Sequence, residues 1–384
     1  MQVQARLLPQ VSALASIDQR AETLIDRQPN PANRPPPPQD PVAEHSFDAR
    51  IEVRQLVFDG FATWNQVKRQ KLLQRQAYLG LDNVASRVAS LVRQAYDAVL
   101  MRQQILVTER RRVEGLQQIV DVTRRKREAG EIPEFEQLRA ETELQAAVAE
   151  VAQARRELTD AEEIFRRLLQ LPAVPGPLQL EGQLRQRTFA MDFQSAVLAA
   201  RNRRADLQSA QLQVDASKLQ QRAVMGGFAP SLELFASYGV RSSYYDFNRR
   251  LDGWTVGAVG RWNLFDGGEN LGRLRSQIAE RRIAEAQLAE VQHQIDSQLS
   301  ELFEALAQSA EAISAREQTL QLADRALRQA RLLYEAGQTS LEQVLQAELS
   351  QRRAQNGLYQ ATLSYNVTVA QIEYSTGLPG GSLE

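Results

Sequence analysis

Apolar and polar residues alternate in four short stretches of the chain. Val11, Ala13, Ala15 and Ile17 hold odd positions, with Ser12, Ser16 and Asp18 between them. Ile51, Val53 and Val57 alternate in the same way with Arg50, Glu52 and Arg54. Farther on, Leu232, Leu234, Ala236, Tyr238 and Val240 fall on one side, and Glu233 and Ser237 on the other. Trp254, Val256, Ala258, Trp262 and Leu264 then oppose Thr255, Arg261 and Asn263. A period of two predicts β-strands, and the four strands pair as hairpins over 8–58 and 230–265. Strands of about ten residues suit a transmembrane barrel, whose aromatic girdle would take Tyr238, Trp254 and Trp262. A soluble antiparallel sheet with one wet face would alternate in the same way.

After each hairpin the period changes. Val84, Val88, Leu91, Ala95 and Ala98 step by four and three, as do Ile295, Leu299, Leu302 and Leu306. This is coiled-coil spacing. From Gly60 to Gly130 the pattern runs on through Gly80 and Gly115, and only Gly272 lies between Gly268 and Gly337. Each stretch therefore predicts a helix of roughly 65–70 residues, on the order of 100 Å long. After the break the chain returns as a second helix, over 134–169 and 341–376. Helices are also expected over 187–225. Such rods do not enclose a globular core, and four strands do not close a barrel alone, so partner copies are implied.

The two halves match each other. Phe58-Asp59-Gly60 and Phe265-Asp266-Gly267 are 207 positions apart. So are REAGEIPEFEQLRAE (127–141) and YEAGQTSLEQVLQAE (334–348), and Leu171-Pro172 and Leu378-Pro379. Three landmarks at one offset predict an internal duplication, with repeats over 1–178 and 179–384. Upstream, Pro9 matches Pro230 at an offset of 221, so the first repeat carries 14 extra residues. These fall in the stretch RQPNPANRPPPPQDP (27–41), where consecutive prolines preclude helix and ladder and predict a stiff exposed loop.

Composition narrows the chemistry. The 384 residues carry a formal net charge of -1 and no cysteine. Disulfides, thiolate catalysis and Cys-based metal sites are excluded. His45 and His293 stand alone, no P-loop is present, and no nucleophile–base set emerges, so neither enzyme nor cofactor is expected. Nucleic acid is not expected either: the basic runs ERRR (109–112) and RRKR (124–127) lack aromatic interleaving and read as solvated helix faces. No apolar run reaches the length of a transmembrane helix.

Several segments together resemble the TolC family of bacterial outer-membrane efflux and secretion channels. They are GWTVGAVGRWNLFDGGENLGRL (253–274), RNRRADLQSAQLQVDASK (201–218), YEAGQTSLEQVLQAE (334–348) and YNVTVAQIEYSTG (365–377). The resemblance spans essentially the whole chain. It implies a mostly α fold with β-hairpins: a homotrimer whose twelve strands form a barrel in the outer membrane, continued by a periplasmic α-barrel of long antiparallel helices. Relative to that family the chain looks truncated at its start, since the helices over 187–229 have no counterpart ahead of the first hairpin.

The resemblance also assigns residues. Phe58, Asp59, Gly60 and Phe265, Asp266, Gly267 would be the joints where membrane strand becomes tunnel helix, the aspartates capping. Leu234, Tyr238, Trp254, Val256 and Trp262 would face lipid. Two helical turns, 129–133 and 336–341, would be periplasmic tips gripped by an adaptor protein. Their residues are Gly130, Glu131, Ile132 and Pro133, and Gly337, Gln338, Thr339, Ser340 and Leu341. Tyr334, Gln343 and Gln346 would line the periplasmic gate, with glutamine where the family's acidic ring would attract cations. The implied activity is a passive exit duct for small molecules, served by an inner-membrane pump. A type I secretion duct fed by an ABC exporter is an alternative, and a soluble coiled-coil scaffold is one of another class.

Overall fold

The computed structural model describes residues 4–19, 45–172, 176, 178, 180–242 and 251–378. The proline-rich stretch 27–41 lies outside them. The architecture is mostly helical with one small antiparallel sheet. The strands are β1 (Gln10–Gln19), β2 (His45–Phe58), β3 (Ser231–Ser242) and β4 (Leu251–Arg261), in the order β1-β2-β3-β4. The α-helices are α1 (Ala62–Glu128), α2 (Glu134–Leu168), α3 (Phe193–Arg203), α4 (Ala205–Met225), α5 (Glu269–Glu335) and α6 (Leu341–Thr376). Both α1 and α5 contain 67 residues. Among the described residues no helix is long and apolar enough to cross a membrane.

The chain forms two compact units: residues 1–77 with 210–288, and residues 78–209 with 289–384. In the first, the register sorts side chains into two faces. Ala13, Ile51, Tyr238 and Trp254 stand in one row across the sheet, and Val11, Val53, Ala236 and Val256 in the next. On the opposite face the rows are polar: Ser12, Glu52, Ser237 and Thr255 form one. Charges ladder along that face, Arg54 bonding Glu52 at 2.6 Å and Arg241 bonding Asp48 at 3.1 Å. The apolar face is bare: Ile51, Tyr238, Val256 and Trp254 are 56–75% exposed. The two hairpins share one register. Gln10 opposes Arg54 and Ser231 opposes Arg261, pairs that differ by the offsets of 221 and 207.

The alternation predicted too long a last strand. β4 ends at Arg261, and Trp262 and Leu264 lie beyond it. The Trp262 Nε1–H donates to Phe228 O at 3.1 Å instead of taking a place beside the ladder.

In the second unit the core is strung along the helices as separate clusters. One joins Leu116, Ile119 and Val120 of α1 to Ala140, Leu144 and Ala147 of α2, Tyr334 of α5, and Leu341 and Val344 of α6. The predicted seam behaves differently in the two long helices. Ile295 and Leu299 are fully buried, whereas Val84, Val88 and Leu91 are 39–47% exposed. Spacing marks a seam, but this stretch of α1 meets α6 through a neighbouring face, where Ser90 donates to Ala370 O and Arg93 pairs with Glu373.

Candidate channel site

The strand-to-helix joints have one local solution, used twice. At the first, Asp59 Oδ2 accepts from the Thr63 N–H at 2.8 Å and from its hydroxyl at 2.5 Å. At the second, Asp266 Oδ2 accepts from the Asn270 N–H at 3.1 Å and Oδ1 from the Gly268 N–H at 3.0 Å. Thr63 and Asn270 are again 207 apart. Each carboxylate thus satisfies donors that a helix start leaves free. Both joints then turn through two left-handed residues, Gly60 and Phe61 in one, Gly267 and Gly268 in the other. Gly60 is also pressed against another backbone: a Cβ there would lie 2.4 Å from Gly226 O. Phe58 and Phe265, which lead into the joints, are 36% and 88% exposed.

The helical turns are likewise matched bond for bond. Gly130 N–H donates to Arg127 O at 2.9 Å and Glu131 N–H to Lys126 O at 2.9 Å. Gly337 N–H donates to Tyr334 O at 3.1 Å and Gln338 N–H to Leu333 O at 2.8 Å. This is the two-bond helix end that requires a left-handed residue, and the glycines have φ of 75° and 74°. Pro133 and Ser340 then open α2 and α6 with extended backbone. Glu131, Pro133, Gln338 and Ser340 are exposed, and Ile132 and Thr339 partly so. Leu341 departs from the expectation of an exposed tip residue. It is 2% exposed and packs inside the cluster of α1, α2, α5 and α6, because the first apolar position of α6 points to the helix seam.

Gln343 and Gln346 are exposed on α6, one turn apart, while Tyr334 is 4% exposed. The Lys126 ammonium lies 4.7 Å above the Tyr334 ring and donates to the Tyr334 carbonyl at 2.6 Å. The tyrosine hydroxyl is buried without a hydrogen-bond partner. Burial, with a contribution from Glu136, pushes its pKa up to about 12. Arg139 of α2 pairs with Glu342 of α6. Two ties, Lys126 to Tyr334 and Arg139 to Glu342, therefore join hairpin α1/α2 to hairpin α5/α6 beside the tips.

The basic runs are not wholly solvated. Arg112 of ERRR reaches Glu109, Glu143 and Glu150, and Arg352 of α6 reaches Glu109 and Glu150, with the Glu109 side chain only 5% exposed. Lys126 of RRKR is held at Tyr334. A basic run shows which charges exist; which acids face them depends on three helices meeting. Among the described residues no cluster of His, Cys, Asp or Glu could hold a metal.

Residues 197–378 match the family described as Outer membrane efflux protein. The matched stretch is a little under half of the chain. It contains β3, β4, the second joint, the second turn and both helices around it. No curated protein matches in sequence. The Campylobacter jejuni CmeC outer membrane channel shares the fold at a TM-score of 0.81 and 16% identity, covering 98% of this chain and 79% of that one. The outer-membrane channel OprN gives 0.80 at 20% identity, covering 98% and 83%. The open state of the Neisseria gonorrhoeae MtrE outer membrane channel gives 0.77 at 17% identity, covering 98% and 82%. At these identities the likeness is one of fold.

Proposed function

We propose that this chain is the outer-membrane channel of a tripartite efflux system, a passive duct built from three copies. The single observation that carries this reading is the sheet: one face apolar and bare, the other charged and laddered, with two open edges. A soluble sheet would bury its apolar face against its own helices. Here that face is left for lipid, with Leu234, Tyr238, Trp254 and Val256 on it and Trp262 just past its end. The edges of β1 and β4 are left for other copies, three of which supply twelve strands.

The duplicated register, the equal lengths of α1 and α5 and the identical turn bonds support two equivalent repeats per chain, hence a near-sixfold tube. The turns 129–133 and 336–341 then face the periplasm, where an adaptor protein would grip them and an inner-membrane pump would supply the energy. The gate works through the two ties rather than through an aromatic in the lumen: hairpin α1/α2 separates from α5/α6 only when Lys126 leaves Tyr334 and Arg139 leaves Glu342. Gln343 and Gln346 leave the entrance without an acidic ring, so selectivity for cations is weak.

Detergent-solubilised protein added to a planar bilayer tests this reading. Stepwise conductance with little cation preference is expected, larger in Lys126→Gln/Arg139→Ala. A protein that stays monomeric in aqueous buffer and never conducts overturns it.

A further inference from the structure

The first four turns of α1 carry a stripe that the duct does not explain. Trp64, Lys68, Lys71 and Arg75 recur every three or four residues, so they share one helix face; Phe61 lies just ahead of the helix, and all five are exposed. From residue 60 to residue 81 the chain has four cations, Arg69 being the other, and no acid. Among the described residues none of the four forms an ion pair. The equivalent turns of α5, residues 267–288, carry three glutamates beside their four arginines, and Glu269 pairs with Arg273 and Glu285 with Arg281. The two stretches therefore differ in charge, and only the first has no acid among its basic residues.

The stripe begins where the apolar sheet face ends. Phe58, the last residue of β2, meets Phe61 edge-on at 5.5 Å. Phe61 holds a left-handed φ of 63° at the position where the second repeat has Gly268. A phenylalanine in that conformation carries a strain that glycine avoids, yet its ring is 64% exposed and buries little within the chain. One turn on, Trp64 is 51% exposed, with the Lys68 ammonium 5.4 Å from its ring centre. Helical side chains lean toward the N-terminus, so Lys68 and Lys71 reach back toward the joint. The order along the surface is apolar, then aromatic, then cationic. That is the order of acyl chain, interface and phosphate in a bilayer.

We infer that this face of α1 binds anionic phospholipid headgroups of the inner leaflet of the membrane that the sheet spans. Phe61 and Trp64 sit at the acyl boundary, and Lys68 and Lys71 contact lipid phosphate. The inference rests on the membrane placement proposed above. An acidic face of a second copy is the competing occupant, and the test separates the two.

The chain has three tryptophans, which makes lipid contact readable one site at a time. Full-length variants that retain only Trp64 or only Trp254 are placed in nanodiscs of phosphatidylcholine with a minor fraction of phosphatidylglycerol. Acyl chains brominated near the headgroup are carried by one lipid or the other. Trp254 should be quenched by both alike. Trp64 should be quenched more strongly by the phosphatidylglycerol, with an enrichment of about fivefold per lysine. Lys68→Gln/Lys71→Gln should abolish that preference and leave Trp254 unchanged. Trp64 silent while Trp254 is quenched overturns the inference and favours a second copy, leaving the duct intact. Quenching of Trp64 without preference overturns headgroup recognition. Trp254 silent as well overturns the membrane placement itself.

Discussion

Several residues of this chain are constrained by geometry that only a side-chain change would reveal. Gly60 and Gly130 have the same left-handed backbone but different surroundings. At Gly130 a Cβ meets nothing within 4 Å, so Gly130→Ala should cost only the strain of the backbone, about 1–2 kcal/mol. At Gly60 it would meet Gly226 O at 2.4 Å, so Gly60→Ala should lower the thermal midpoint clearly further. Equal midpoints for the two variants would contradict the packing described at the joint. Tyr334 offers a second contrast. Its buried hydroxyl is unsatisfied, so Tyr334→Phe should be neutral or stabilising by about 1 kcal/mol. Tyr334→Ala should cost about 3–5 kcal/mol by emptying the cluster around it. Because burial holds the folded-state pKa near 12, above the ordinary value of about 10, ionisation favours the unfolded chain. The stabilising share is complete below the ordinary value and is lost as pH rises toward 12. Chemical denaturation across that range should show a slope that Tyr334→Phe removes.

At the scale of elements, buried charge decides what holds the hairpins side by side. Glu348 of α6 is 5% exposed and its ionic partner is Arg331 of α5, itself 38% exposed. Arg331→Ala strands that carboxylate, and water reaching the arginine side should keep the cost near 2–3 kcal/mol, below that of a fully dry pair. Adding Glu348→Gln should recover most of the loss in urea unfolding; failure to recover would mean that Arg331 acts through packing alone. The elements themselves were legible because their signals are local. Alternation gave the strands, uninterrupted three-four spacing gave α1 and α5, and glycine marked both turns. The end of β4 was not legible, since Trp262 continues the alternation while its indole bonds to Phe228 O. Nor was the burial of Leu341 and Glu109, or the grip of Lys126 on Tyr334. Each depends on helices from different parts of the sequence meeting, which no local period encodes.

For the whole molecule, one chain leaves bare the surfaces that the proposed trimer would cover. The seam at Val84, Val88 and Leu91 is uncovered, the apolar sheet face is bare, and β1 and β4 end in open edges. The repeat offsets say how the edges should join. The pairing of Ile51 with Tyr238 between β2 and β3 translates, by adding 207 and subtracting 221, to Ala258 of β4 against Ile17 of β1 in the next copy. The natural chain has no cysteine, so Ala258→Cys/Ile17→Cys creates a single possible bridge. Oxidation of this variant in membranes, followed by a non-reducing gel, measures the closure directly. Covalent dimers and trimers that vanish on reduction, and that fail to form when one cysteine is moved to the opposite sheet face, are the predicted result. A product that remains monomeric at full oxidation would contradict the account, because the sheet would then have to seal itself without its neighbours.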